Sequence, residues 1–387
     1  MKSVSRTGMR GKMKRISALA VIALACAMTI IGCGKKTASV DTTAAATSEA
    51  PAMVVQQTET AAAATEAATE ESDVAPAGKY ASELTGEWID ESLKDQRPIA
   101  VMVDDEKTAL PHYGLSTADI VYEMMNSTMN DGITRFMVMV KDWESIKQLG
   151  SIRSTRPTNL QVFPEWNAIL CHDGGPTLWN TIFYENKFVE RFSGTFSRVN
   201  NGKAREYTEY ILPGDLDKNF KSSGYSTTYN EYYKGPHYQF ASRSNPNMLT
   251  QYADSTDCTH IELPFHHNKP YLDYDAEAGV YKYFQYGQAE TDAGNDNTQL
   301  AFKNILLQNA KMEQLDEHGY MMYYPTDSDR EGLYITNGKA EKVTWTKLSD
   351  IDPTRYYDSD GNEIKINVGK TYIAYIPSDE WDNVVTQ

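Results

Sequence analysis

Residues 98–106, which read PIAVMVDDE, decide the fold of the first half of the chain. A short apolar run after a proline, ended by consecutive carboxylates, is typical of a buried β-strand that stops at a polar edge. The later pattern alternates further β-type runs with stretches that start at a proline and have helical character. A layered α/β (α+β) domain over residues 80–250 is therefore predicted. Its remaining β runs are 120–125, 133–140 and 168–171, and its helices follow Pro157 and Pro176.

From about residue 261 the pattern changes to short β-type runs separated by turn residues. These runs lie between Tyr271 and Ile376 and include residues 363–367, and the pairs Asn337-Gly338 and Asp360-Gly361 have the composition of hairpin turns. We therefore predict a mostly antiparallel β domain over residues 251–387. Residues 207–257, rich in Tyr, Ser, Asn, Gly and Pro, are predicted to form irregular structure packed on the body.

The N-terminus has the pattern of an export signal. Several basic residues precede an apolar run from Ile16 to Ile31, which is shorter than the roughly 20 residues that a spanning helix needs. The run ends in Gly32-Cys33, which resembles the lipobox of bacterial lipoprotein precursors. The resemblance implies a signal peptide over 1–32 and lipid on Cys33. An ordinary secretory signal, or cleavage before Cys26, is the alternative.

Residues 33–79 are predicted to form a disordered tether, because they are dominated by Ala, Thr, Ser, Glu and Val and have no aromatic residue before Tyr80. The whole chain has a net charge of −16, and removal of the basic signal makes it more negative. Such a surface repels nucleic acid and anionic lipid, so the lipid on Cys33 must hold the protein at the membrane. No nucleic-acid partner is expected.

Two cysteines of the body, Cys171 and Cys258, could pair in one disulfide. Two buried free thiols are the favoured interpretation, because a body of this length does not need a covalent staple.

Three polar clusters lie at predicted ends of strands or starts of helices. Asp104 ends the first strand, Arg153-Ser154-Thr155-Arg156 precedes the Pro157 helix, and His172-Asp173-Gly174-Gly175 follows the 168–171 strand. If the strands are parallel, these clusters share one edge of the sheet, where ligands bind in open α/β folds. We predict that an anionic ligand binds at this edge. The predicted site consists of Asp104, Glu123, Arg135, Arg153, Ser154, Arg156, His172, Gly174 and Gly175.

Several alternatives stay open for these residues. Arg153 and Arg156 could pair internally with Asp104 and Glu123, which would make the cluster structural. His172 could act as a general base or could simply cap the strand end. An enzyme that hydrolyses a cell-wall or other extracellular polymer would use Asp104, His172 and Asp173 in acid/base roles.

No cofactor and no metal ion are expected. His260, His266 and His267 lie near Glu262, but they lack the spacing of a known metal site. The chain also has no Walker loop, no G-x-G-x-x-G, no G-x-S-x-G, no H-E-x-x-H and no EF-hand loop.

Five motifs in order resemble those of the YerB-like lipoproteins, the domain family of unknown function DUF3048. They are residues 97–104 (RPIAVMVD), 114–123 (GLSTADIVYE), 132–136 (GITRF), 150–157 (GSIRSTRP) and 172–175 (HDGG), and the region around residues 274–281 and 360–372 resembles the second domain of that family. Ser151 stands where the family pattern suggests proline, and Asp173 where it suggests alanine, which weakens an acid/base role for Asp173.

The resemblance implies an envelope protein with an α/β first domain, and it implies no reaction. Taken together, the sequence predicts a lipoprotein anchored through Cys33 to the outer face of the cell membrane. A role in binding or scaffolding is favoured over catalysis, with a cell-envelope protein or a cell-wall fragment as the partner.

Overall fold

A computed structural model of the chain describes residues 72–387. The predicted signal peptide, Cys33 and the predicted tether up to residue 71 lie outside the described residues. The predictions made for them therefore stay predictions.

The first part of the body follows the predicted alternation of strands and helices. The four predicted strand runs are β3, β4, β5 and β7, and the two predicted helices are α1 and α2. The elements are β1 (Lys79–Ala81), β2 (Trp88–Asp90), β3 (Ile99–Asp104), β4 (Ile120–Ser127), β5 (Ile133–Val140), β6 (Leu149–Gly150), α1 (Pro157–Val162), β7 (Ile169–His172), α2 (Thr177–Tyr184), β8 (Arg191–Ser193), β9 (Ser197–Arg198), β10 (Glu209–Ile211) and α3 (Asp215–Ser223).

The second part consists of strands, as predicted. One prediction is wrong: residues 363–367 form no strand and make only isolated bridges, from Glu363 to Tyr357 and from Ile366 to Phe240. The strands are β11 (Thr256–Asp257), β12 (His260–Glu262), β13 (Tyr271–Asp275), β14 (Val280–Gln285), β15 (Gln288–Ala289), β16 (Thr291–Asp292), β17 (Thr298–Gln299), β18 (Ala301–Phe302), β19 (Asn304–Ala310), β20 (Met312–Gln314), β21 (Met321–Tyr323), β22 (Asp327–Thr336), β23 (Lys339–Lys347), β24 (Arg355–Tyr357), β25 (Thr371–Pro377) and β26 (Val385–Thr386).

The helix α3 corrects the prediction that residues 207–257 are irregular throughout. Leu216 and Phe220, four residues apart, bury one face of this helix, and Asp215 and Asp217 lie in its positively polarised first turn. Gly224 ends it in the left-handed conformation. These signals were present in the sequence, but the polar residues around them masked the short helix.

One eleven-stranded sheet runs through both parts of the body. Its order is β11-β23-β22-β19-β25-β4-β5-β3-β7-β8, with β24 on the outside of β23. The two parts join where β4 and β25 pair in parallel, with Ile120 opposite Thr371. The first part mixes parallel and antiparallel pairs, whereas antiparallel pairs predominate in the second, which confirms the predicted fold class.

The two faces of this sheet are covered differently. The back face, defined by Ile99, Val101 and Val103, packs against the six-stranded sheet β15-β14-β13-β12-β26 with β18, and against α3. The front face, defined by Ala100 and Met102, packs against α1 and the irregular segments around Tyr238 and Ile366. Because successive side chains of a strand point to opposite faces, a change of one residue moves a polar group from one layer to the other.

Candidate functional site

The candidate site forms where β3 ends. Asp104 lies directly opposite Arg135 of β5, so both side chains project from the front face. Residues 151–155 then run beside the end of β3, because the Asp104 N–H donates to the Ser151 carbonyl at 2.9 Å and the Arg153 N–H donates to the Met102 carbonyl at 2.9 Å. This places the second cluster of the sequence next to the first.

The third cluster packs on the other side of the same segment. The Asp173 N–H donates to the Arg153 carbonyl at 3.0 Å, and the Thr155 N–H donates to the Gly174 carbonyl at 3.2 Å. Residues 153–155 therefore lie between Asp104 and the 172–175 loop. The clusters therefore share one edge of the sheet, as expected, but residues 153–155 separate Asp104 from the 172–175 loop along that edge.

Asp104 is the buried anion of the site. Its carboxylate is 2.6 Å from Arg153 Nε and 3.8 Å from Arg135 Nη2. Arg153 also reaches the exposed Glu206 at 3.1 Å, and its guanidinium lies 5.3 Å from the ring centre of Tyr207. For Arg153, the internal pairing with Asp104 that the sequence left open is the observed arrangement.

Arg135 is buried behind Arg153. Its Nη1 donates to the Ser154 carbonyl at 2.9 Å, while its Nε is buried and has no acceptor among residues 72–387. Burial lowers the pKa of Arg135 from its usual range. The hydroxyl of the half-buried Ser154 donates to the Asp173 carbonyl at 2.8 Å, so this side chain joins two loops and its proton is used within the protein.

Arg156 differs from the other two arginines. Its side chain is buried, and within the described part of the chain no carboxylate lies within ion-pair distance of it. The carbonyls of Thr155 and Asn126 accept from it at 3.0 and 3.4 Å, and its guanidinium lies 4.4 Å from the ring centre of Tyr320. Burial, reinforced by repulsion from Arg135 and Arg153, lowers the pKa of Arg156 to about 9. The group is still charged at neutral pH, and that charge is not compensated.

His172 is a buried neutral imidazole. Burial lowers its pKa to about 4, and its Nδ1–H donates to the Gly174 carbonyl at 2.8 Å. Its Nε2 is buried and has no partner among the described residues.

The geometry does not join His172, Asp173 and Asp104 into an acid/base unit. The Asp173 carboxylate pairs with Arg198 at 2.7 Å, and Arg198 also binds Glu209 at 2.5 Å. Asp104 is held by arginines. The three residues of the catalytic hypothesis therefore have three different sets of partners.

The two glycines shape the loop. A side chain at Gly175, whose φ is +151°, would place its Cβ 2.8 Å from the Thr155 carbonyl oxygen and 2.5 Å from Asn180 Nδ2. The space beside Gly175 is therefore occupied by the chain itself and not left open for a ligand.

Glu123 is not part of the candidate site, which corrects the predicted set. It is paired in register with Phe136, a residue of the back face, so its carboxylate points away from the arginines. There it accepts hydrogen bonds from Tyr283 at 2.7 Å, Tyr372 at 2.5 Å and Asn268 at 2.7 Å.

A buried acidic network surrounds Glu123, and sequence reasoning missed it. Asn268 also donates to Asp105 at 3.0 Å, and burial raises the pKa of both Asp105 and Glu123. His112 pairs with Glu290 at 2.7 Å. Burial alone would lower the pKa of His112, but Glu290, Asp105 and the Asp104 carbonyl together raise it to about 9. The sequence signal for this network was the spacing of Val121 and Glu123, because residues two apart in a strand lie on the same face of the sheet.

The three histidines considered for a metal are separate. His260 lies 2.6 Å from Asp273, His266 lies 3.6 Å from Glu380, and His267 lies 3.3 Å from Glu106. Over residues 72–387, no group of three or more His, Cys, Asp or Glu side chains is arranged to hold a metal ion. Cys171 and Cys258 are both free and buried, as favoured from the sequence.

None of the helices described between residues 72 and 387 has the length and hydropathy needed to cross a membrane.

Comparison with known proteins identifies related chains. Residues 84–226 match the family described as "Protein of unknown function (DUF3048) N-terminal domain", and residues 261–373 match the corresponding C-terminal domain. The chain is 23% identical over 323 residues to "Putative lipoprotein YerB" of Bacillus subtilis (strain 168), a match that covers 80% of this chain and 87% of the relative. The crystal structure of YerB from Bacillus subtilis is similar in fold, with a TM-score of 0.67 and 21% identity over 80% of this chain and all of that chain.

Proposed function

The chain belongs to the DUF3048 family, since both domains of that family match it, and from this premise we propose that it is a lipid-anchored envelope protein that binds an acidic partner. The anchor is Cys33, on the outer face of the membrane. The name of the relative supports this role, and so does the lipobox-like Gly32-Cys33 after an apolar run.

The anchor is tested by substitution of its cysteine. Cys33→Ala should move the protein from the membrane fraction to the soluble fraction and abolish incorporation of labelled palmitate, because no acceptor thiol remains. Cys26→Ala is the matched control and should change neither result. Retention of Cys33→Ala in the membrane fraction, with palmitate still incorporated, would contradict the proposed anchor.

The single observation that carries the binding role is the uncompensated charge of Arg156. Two guanidinium groups, those of Arg135 and Arg153, lie beside one buried carboxylate, Asp104, whereas Arg156 has no carboxylate partner in the described body. A buried charge without a partner costs several kcal/mol, so an anion that arrives from outside would gain much of that energy on binding. A guanidinium also binds carboxylates in a planar, bidentate geometry.

The surroundings favour a peptide over a simple ion. Tyr207 and Tyr320 flank the arginines, and the indole of Trp179 in α2 donates to Asp316 at 3.1 Å, in the loop that carries Tyr320. Leu178 and Ile182 of the same helix are 76% and 68% exposed. Exposed apolar residues beside a cationic site match an acidic protein segment that also carries apolar side chains.

The binding role is tested with a hexaglutamate peptide as probe, on the full chain purified in nonionic detergent. Arg156→Gln should weaken binding at least tenfold, which corresponds to about 1.4 kcal/mol. Arg330→Gln is the charge control, because it also removes one arginine charge, at a partly buried position on β22 that is not part of the candidate site. It should leave binding unchanged.

A cellular readout separates a binding site from a structural cluster. Cross-linking in cells should capture an envelope protein with the unaltered chain, and Arg153→Ala with Arg156→Ala should lose it. Capture of a wall fragment instead would assign the site to that ligand. If peptide binding, captured partners and cell phenotype were all unchanged in the double variant, the three arginines would be structural and the proposal would fail.

A further inference from the structure

A second cationic site lies at the opposite end of the sheet. Arg156 contacts the carbonyl of Asn126 near the end of β4, whereas Lys370 immediately precedes Thr371, which pairs with Ile120 at the start of β4. A cleft of about 530 Å³ opens beside Lys370, which is within the size range of small-molecule sites. Its walls come from four separate segments around residues 87–88, 242–246, 278–280 and 301–303, together with residues 367–370.

The charges that line this cleft run against the composition of the chain. The chain has 53 acidic and 37 basic residues, yet the cleft is lined by Arg243, Lys303 and Lys370 and by one carboxylate, that of Glu87. Within residues 72–387, neither lysine has a carboxylate within 4.0 Å. Two half-buried ammonium groups in an acidic protein therefore have no direct ion-pair partner in the described body, and the charge of Lys370 acts on the Asp119 carboxyl only over a longer distance.

Lys303 lines the cleft, and its ammonium group is fixed by two hydrogen bonds. Its Nζ donates to the Gly279 carbonyl at 3.0 Å and to Asn337 Oδ1 at 2.6 Å. Its aliphatic stem lies over Gly369, where a Cβ would come within 2.6 Å of Lys303 Cβ and where φ is +135°. Burial lowers the pKa of Lys303, which reflects the cost of a charge with no anionic partner. An ammonium carries three N–H donors, so one of them remains available.

The other two cations are placed by the protein in the same way. Lys370 donates to the Ser116 carbonyl, which leaves two of its three donors for another acceptor. The Arg243 side chain is 8% exposed, stacks 3.7 Å from the ring centre of Trp88 and donates to the Gly86 carbonyl. Its Nη1 lies 4.0 Å from the carboxylate of Asp73, which also accepts from the Arg243 backbone N–H at 2.8 Å.

We propose that this cleft binds a phosphate ester of a small polyol or sugar. Three cations that approach from different segments suit the several oxygens of a phosphate better than one planar carboxylate, and lysine binds phosphate as a point charge. The remaining walls include the small residues Ser242, Ala278 and Ala301, which leave room for a hydroxylated group beside the phosphate.

The probe is glycerol 3-phosphate, measured by isothermal titration with the full chain in nonionic detergent, and glycerol is the uncharged comparison. Glycerol 3-phosphate should bind and glycerol should not. Lys370→Gln should weaken binding about tenfold, and the Lys303→Gln, Lys370→Gln pair should remove it. Higher salt should also weaken it, because the contact is largely electrostatic.

The matched control is Lys218→Gln with Lys342→Gln, which removes the same charge from two exposed positions that do not line the cleft. This control should keep full affinity. Because Lys303 is half-buried, the variant that contains Lys303→Gln must show a wild-type circular dichroism spectrum and melting profile. If that variant is misfolded, Lys370→Gln alone still tests the proposal.

Two further arms define the ligand source and separate the sites. Vesicles of phosphatidylcholine with 20% phosphatidylglycerol compete for the cleft if a lipid headgroup is the ligand, whereas a soluble ester binds without competition. Arg156→Gln should leave glycerol 3-phosphate affinity unchanged, so failure at one site does not imply failure at the other. Absence of binding by the unaltered chain to both probes, or equal binding by Lys370→Gln and the unaltered chain, would overturn the proposal.

Discussion

Replacement of Arg156 by methionine should stabilise the protein and at the same time remove its binding to acidic peptide. Burial and two neighbouring guanidinium groups disfavour the charge of Arg156 and lower its pKa to about 9 from a usual value of 12.5. At about 1.4 kcal/mol for each pKa unit, the charged form carries a penalty on the order of 4 to 5 kcal/mol.

The substitution also removes favourable contacts, which reduce the net gain. The cation–π contact to Tyr320 is worth about 1 to 2 kcal/mol, and two carbonyls lose a donor at roughly 1 kcal/mol each. The expected net effect is a gain of about 1 kcal/mol. Its sign opposes the usual cost of changing a buried residue.

The assay is urea unfolding of the full chain in nonionic detergent at pH 7. The folded state has the lower pKa here, so the penalty is fully present below about pH 9, and the gain should be the same at pH 6 and pH 8. Hexaglutamate should raise the unfolding midpoint of the unaltered chain and leave that of Arg156→Met unchanged.

Arg97→Met is the control with the opposite sign. Arg97 is also buried, but it pairs with Glu190 and donates to the Asn167 carbonyl at 2.6 Å and to the Ala168 carbonyl at 3.3 Å. Its loss leaves buried acceptors and a carboxylate unpaired, which should cost about 3 to 5 kcal/mol. If Arg156→Met were destabilised as much as Arg97→Met, Arg156 would be a structural residue and the reasoning from its uncompensated charge would be refuted.

Three further predictions concern other parts of the body. Burial raises the pKa of Asp119 to about 7, so the folded state retains a proton that the unfolded state loses, and stability should fall as pH rises from about 4 to 7. In urea titrations, Asp119→Asn should therefore stabilise the protein by about 2 kcal/mol more at pH 8 than at pH 5. An equal effect at both pH values would contradict a neutral Asp119 at pH 5. Gly175→Ala should lower the melting temperature by several degrees, because its Cβ meets the Thr155 carbonyl at 2.8 Å; an unchanged melting temperature, with Gly202→Ala as the open-space comparison, would show that the loop simply relaxes. Glu165→Gln should lower the free energy of unfolding by about 3 to 5 kcal/mol, because the fully buried Lys347, which lies 3.0 Å from Glu165, loses its anion. In a double-mutant cycle, the addition of Lys347→Met should recover part of that loss.

Local patterns in the sequence were enough to predict most of the secondary structure. The run at 133–140 coincides with β5, and Pro157 and Pro176 mark the starts of α1 and α2 within one residue. These features depend on neighbouring residues only, namely side-chain alternation and the restricted backbone of proline. The motifs also predicted the family, which both domain matches confirm.

The sequence alone also predicted that charged residues follow the strand ends, but it could not assign their partners. Asp104 meets Arg135 because β3 pairs with β5, and it meets Arg153 because residues 151–155 insert beside β3. Glu123 was grouped with them although its position in β4 sends it to the back face, where it binds Tyr283 and Tyr372 from distant strands.

What only the tertiary structure decided is which charges are compensated. The sequence places Arg153 and Arg156 three residues apart and makes them look equivalent, yet Arg153 lies 2.6 Å from Asp104 and Arg156 has carbonyl groups and a tyrosine ring as neighbours. In the same way, the cleft at Lys303 and Lys370 is assembled from segments more than 200 residues apart in the chain. Strand alternation is a local property of the backbone and can be read from the sequence, whereas the electrostatic energy of a buried charge depends on groups that long-range pairing brings to it.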